Sequence, residues 1–146
     1  MKRPPPQVNA FLVCEQAFQQ AGTGKWCIIG TFDTLMASEF PFQYSGIHVF
    51  MSLGGFMGGA TVEVDIRDAV GEIVMAVRGQ IPEIPHSSPL SNFELALPIP
   101  PVEFMSSGSY SIELSAMDKV LAVRSLRLIE GSVSLEVDPE ESGEDG

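Results

Sequence analysis

The feature that most constrains this chain is an alternation of apolar and polar residues with a period of two. It is broken at short intervals by turn residues. From 61 to 67, Val62, Val64 and Ile66 point one way, and Thr61, Glu63, Asp65 and Arg67 the other. From 109 to 116, Tyr110, Ile112 and Leu114 oppose Ser111, Glu113 and Ser115, and Phe93, Leu95 and Leu97 alternate with Glu94 and Ala96. Successive side chains of a strand face opposite ways, so this is the pattern of strands with one wet face and one core face.

Turn signals lie between these runs: Gly22-Thr23-Gly24, Gly54-Gly55, Gly58-Gly59, Asp68-Ala69-Val70-Gly71 and Asp118-Lys119. They delimit strands near 8–16, 25–35, 46–53, 60–68, 72–79, 93–99, 109–116 and 120–129, with a short last strand over 132–137. The expected fold is all-β: a two-sheet antiparallel sandwich of about eight strands, Ig-like or C2-like. Three places strain this reading. Residues 15–21 are good helix formers followed by Gly22, so a helical turn is an alternative there. The run from Lys119 puts Leu121 and Val123 inward and then Leu126 and Leu128, which calls for a bulge near Arg124-Ser125. The segment 81–90, with prolines at 82, 85 and 89, reads as a surface crossover or an edge.

The 146 residues are enough to enclose one core. The expected organisation is a flexible leader over 1–7, a single sandwich over 8–137 and a disordered acidic tail over 138–146. The formal charge is −11, but residues 130–146 hold seven acids and no base, which leaves a net of −4 for the rest. A nearly neutral body without a Lys/Arg cluster argues against nucleic acid and anionic membrane as partners. No apolar stretch approaches a membrane span, and the start has no signal-peptide core, so a cytoplasmic location is expected. Cys14 and Cys27 are then most simply reduced thiols, a bridge between them being the less favoured pairing.

The order of certain residues resembles a family of small, uncharacterised bacterial β-sandwich proteins, a domain of unknown function. The resemblance covers about 8–129 and rests on Cys14-Glu15, Gly24-Lys25, Gly30-x-Phe32-Asp33, Phe40-Pro41, the Asp68-x-x-Gly71 hairpin and Gly108-x-Tyr110. It implies a bacterial source, a compact sandwich and an intracellular protein, and it carries no activity, cofactor or catalytic residue. Gly30 suits a bulge or a close backbone approach, and Asp33 suits a side-chain bond to the backbone of the following turn.

A search for chemistry finds little. His48 lies in an alternating strand on the side away from Ile47, Val49 and Met51, and His86 lies in the proline-rich segment. Either could partner a cysteine in a thiol catalyst, but both cysteines sit in apolar strands, where a free cysteine is a small hydrophobe. No zinc spacing appears, and Asp33, Asp65, Asp68 and Asp118 lack the closely repeated acids of a calcium loop. Gly54-x-x-x-x-Gly59-Ala60-Thr61 mimics a phosphate loop, with alanine in place of the lysine. Aromatic residues for a sugar platform are few, with Tyr110 buried and Trp26 either in the core or exposed. The expectation is therefore no catalytic residues, no metal and no cofactor. The chain is read as a non-catalytic intracellular sandwich that binds another protein or itself, self-association taking the form of a homodimer. An enzyme or a ligand- or metal-binding domain whose site is assembled only by folding is the alternative, and a C2-like membrane or calcium module a further one. Phe56 and Met57, at a glycine-flanked hairpin tip, are the candidate partner contacts. They would either cap the open end of the sandwich or anchor a partner.

Overall fold

The computed structural model describes residues 5–55, 59–83 and 92–131. They form β1 (Gln7–Gln19), β2 (Trp26–Thr31), β3 (Thr34–Ala37), β4 (Phe42–Tyr44), β5 (His48–Gly54), β6 (Ala60–Arg67), β7 (Ile73–Ile81), β8 (Asn92–Pro98), β9 (Val102–Phe104), β10 (Gly108–Ala116) and β11 (Lys119–Glu130). A first sheet has the order β2-β1-β5-β8, a second β3-β11-β10-β6-β7, and a small third β4-β9. The two large sheets form a β-sandwich. Its interior is made by the alternating positions legible in the sequence. Phe11, Val13, Val49, Met51 and Leu53 of the first sheet meet Val62, Val64, Ile66, Ile112, Leu114, Leu126 and Leu128 of the second.

One ladder is not antiparallel. The sequence reads as a single strand over 25–35, but the chain breaks after Thr31 and changes sheets. β2 pairs with β1, while β3 runs parallel to β11 with Arg127 beside Thr34. The Asp33 carbonyl takes the Arg127 N–H at 2.8 Å and fastens the crossing point. β5 belongs to the first sheet and β6 to the second, so these two strands do not pair as the expected hairpin. Gly55 and Gly59 both take positive φ, 68° and 72°, where a side chain would be strained.

The helical alternative over 15–21 does not occur: β1 runs on to Gln19, held by its ladder to β2. Tertiary pairing overrides a modest helix propensity here. The bulge expected near Arg124-Ser125 lies earlier. Leu114 pairs with Ala122 and Ser115 with Val120, so the additional residue is Leu121. Val123 is therefore outward and 53% exposed, while Leu126 and Leu128 are buried as expected. Ile81 closes β7, an edge strand of the second sheet, and residues 84–90 of the proline-rich segment lie outside the described residues. His86, the residues 132–137 of the proposed last strand and the acidic tail lie outside the described residues.

At one end, the Tyr110 hydroxyl donates to the Ser106 carbonyl at 2.7 Å, a tyrosine corner, while its ring meets Phe104 edge-on at 5.0 Å. This accounts for Gly108-x-Tyr110 as a structural motif. At the seam between the sheets, β1 pairs with β2 only from Cys14 onward. Arg124 of β11 fills part of this gap, donating from Nε to the Phe11 carbonyl at 2.8 Å.

Candidate functional site: the charged face of the second sheet

Strand alternation puts Glu63, Asp65 and Arg67 of β6 on the outer side of the second sheet, opposite the buried Val62, Val64 and Ile66. The ladders set their neighbours. Glu63 pairs with Arg78 and Ser115, Asp65 with Ala76 and Glu113, and Arg67 with Ser111. Arg78 Nε donates to Glu63 Oε2 at 2.7 Å; that bond, and then the negative charge of Glu63, push the guanidinium pKa above its ordinary value. Arg67 donates to Asp65 Oδ2 at 3.2 Å and to the Gly71 carbonyl at 3.1 Å. Its Nε lies 3.4 Å from Glu113 Oε1, near enough for an ion pair but without hydrogen-bond geometry.

Asp65 is the anomaly. It lies on the outward face, yet only 5% of it is exposed, and its Oδ1 has no hydrogen-bond partner among the described residues. Buried carboxylate oxygens are normally satisfied, and one that is not calls for an explanation. The group lines a trough of about 700 Å³ that also takes in Ser115, Asp118 and Val120. Val120 and Val123 stand out from the same face, 59% and 53% exposed. Both signs of charge, small side chains and two bare valines thus share one sheet surface.

The other candidates are scattered. Phe56 and Met57 lie outside the described residues. Asp68 is the turn residue its spacing suggests: Oδ1 accepts from the N–H groups of Val70 at 3.1 Å and Glu72 at 2.8 Å. Asp118 follows Met117 in a two-residue turn, both at positive φ, as a type I′ hairpin requires. Asp33 Oδ1 accepts from the Thr34 hydroxyl at 3.0 Å, a side-chain bond rather than the bond to the turn backbone expected of it. Among the described residues, no three of His, Cys, Asp and Glu gather as a metal ion would need.

The ladder does bring a cysteine and a histidine together: Cys14 stands directly opposite His48. Cys14 is fully buried, and burial raises its thiol pKa, with the Gln16 backbone bond acting weakly the other way. Such a thiol is held protonated and closed off from substrate, the reverse of a nucleophile's surroundings. His48 is half-buried, with no partner for its Nδ1 among the described residues, rather than solvated as its outward position suggests. The Trp26 ring lies 5.4 Å from that of Phe50, tilted by 59°, although Trp26 pairs with Gln19 and Phe50 with Leu12. Seven residues of straight strand span ~23 Å, so β1 must curl and bring the β1–β2 hairpin against the outer side of its own sheet. Cys14 and Cys27 are both free thiols. In register Cys27 faces Phe18, four residues beyond Cys14, so the two are ~13 Å apart along the strand and cannot bridge.

Glu15 and Gly30 explain each other. Gly30 has φ 71°, and a Cβ there would lie 2.6 Å from Glu15 Oε1, which makes it the close approach expected of it. Burial raises the Tyr44 pKa, and the charge of Glu15 raises it further. In the sequence the charged face showed only as two separate alternations, over 61–67 and 109–116. Its partners Arg78 and Glu113 depend on long-range register, which local patterning does not carry.

Searched against curated proteins, the chain finds no match. Among solved structures it is similar to an immunoglobulin-like protein from Pseudomonas aeruginosa. That likeness has 12% identity and a TM-score of 0.40, over 86% of this chain and 98% of that one. Residues 9–129 match the family of unknown function DUF6941, so the chain belongs to that family.

Proposed function

We propose that the chain is a non-catalytic protein-binding β-sandwich and that it engages its partner through the outer face of the second sheet. The observation carrying this reading is that the exposed Val120 and Val123 share that face with the charged cluster of Glu63, Asp65, Arg67, Arg78 and Glu113. Val120 and Val123 supply apolar contact beside it, and Arg67 and Arg78 supply directionality. The sealed Cys14 gives no support to thiol catalysis.

Site-specific photocrosslinking tests this in cells expressing the full chain. A benzophenone side chain at Ser115, on the face, should crosslink to a polypeptide, and Arg78→Glu should abolish the adduct. The same probe at Gln43, an exposed residue of the small third sheet, is the control. Equal yields at the two positions, or a Ser115 adduct indifferent to Arg78→Glu, would reject the reading.

A further inference from the structure

We infer that the occupant of the charged face is a second copy of this chain, the two second sheets packing face to face about a twofold axis. This rests on the protein-binding reading and names its partner.

The first argument is charge. The centre of the face carries the carboxylates of Glu63, Asp65 and Glu113 and the guanidinium groups of Arg67 and Arg78, tied together at 2.7–3.4 Å. A uniformly basic partner would meet two exposed-side arginines, and a uniformly acidic one three carboxylates. A surface holding both signs close to balance is matched by another of the same kind, and a copy of itself is one.

The second argument is geometry. Asp65 and Arg67 stand two residues apart on β6 and face the same way. A twofold axis crossing the strands between their two rows lays β6 of one copy antiparallel over β6 of the other. Each Arg67 then lies over the partner copy's Asp65. That sets opposite charges against each other across the interface. Arg78, whose side chain is 75% exposed, is free to reach across as well.

The third is fit and size. Ala76, Ser111 and Ser115 are small, so a second sheet can approach to the ~10 Å at which sheets pack. Five strands spaced ~4.8 Å apart and seven residues long at ~3.3 Å make a plane of ~550 Å², less than the ~800 Å² per partner of a standard complex. The dimer is therefore weak, with Kd on the order of micromolar, and held in part by ion pairs that salt screens.

Sedimentation velocity over a concentration series of the full chain tests this. The expected result is a weight-average mass rising from one chain toward two, with dissociation promoted by added salt. Arg78→Gln and Val123→Asp, both at exposed positions, should each raise Kd at least tenfold while leaving the melting temperature of the dilute protein in place. A monomer at every concentration overturns the second-copy inference alone, because a crosslink from Ser115 to a different protein would still uphold the reading beneath it. A dimer that both variants leave intact also overturns it, by putting self-association on another surface.

Discussion

Arg124 donates from Nε to the carbonyl oxygen of Phe11 at 2.8 Å, a bond between residues 113 positions apart that joins the two sheets of the sandwich. The Phe11 carbonyl lies where β1 has no strand on that side, because β2 begins its ladder only at Cys14. The bond thus does locally what a ladder would do. Arg124→Leu should lower stability by about 1–3 kcal/mol, the cost of losing a charged donor to a part-buried carbonyl. Urea unfolding checks it: the midpoint should fall with an unchanged slope, and an unmoved midpoint would show the clasp to be idle.

Tyr110→Phe keeps the ring against Phe104 and removes only the hydroxyl bond to Ser106. The expected loss is about 1 kcal/mol in the same assay. A much larger loss would point to ring repacking rather than to the corner bond.

Gly30→Ala meets two separate obstacles, a φ of 71° and the Glu15 carboxylate 2.6 Å from the new methyl group. The flexible Glu15 can move, whereas the backbone strain of about 1–2 kcal/mol cannot be relieved that way. A double-mutant cycle with Glu15→Ala should recover part of the Gly30→Ala loss and leave the backbone share. Full recovery would mean that the positive φ costs nothing here.

The two thiols should separate cleanly in a labelling experiment. Cys27 is partly exposed and should react with a disulfide reagent in the folded protein, whereas Cys14 should react only on unfolding. Because burial raises the folded pKa of Cys14, the folded state holds its proton where the unfolded chain has lost it. Its contribution is full below about pH 9, where the unfolded thiol begins to ionise, and is lost as pH rises from there. Wild-type stability should therefore fall more steeply above pH 9 than that of Cys14→Ala, and parallel curves would contradict the shift. Tyr44, also raised, adds a similar decline starting nearer pH 10 in both proteins.

Much of the fold was legible because burial imposes a period on the chain. Val62, Val64 and Ile66, or Tyr110, Ile112 and Leu114, declare their face within a few residues. What escaped depends on contacts with distant partners. β3 cannot be told from a continuation of β2 until β11 is seen to capture it through Arg127. The bulge at Leu121 was misplaced because Val123 is apolar yet outward, so hydrophobicity gave the wrong phase. The candidate site shows the same division. Glu63, Asp65 and Arg67 were visible as a wet strand face, but the anomaly of Asp65 is its burial, and that comes from neighbouring strands rather than from its own.

The parallel pairing of β3 with β11 carries a consequence for how the protein is made. During synthesis β3 leaves the ribosome about ninety residues before its partner, and β10 likewise waits for β11 to cover its other side. At rates of about 5–20 residues per second the chain spends several seconds with a ready strand edge and no neighbour. Until residue 130 is free, the second sheet cannot close, and the nascent chain is open to strand pairing with other chains. Ribosome-stalled chains ending just before β11 should be captured by chaperones that ignore chains released after it.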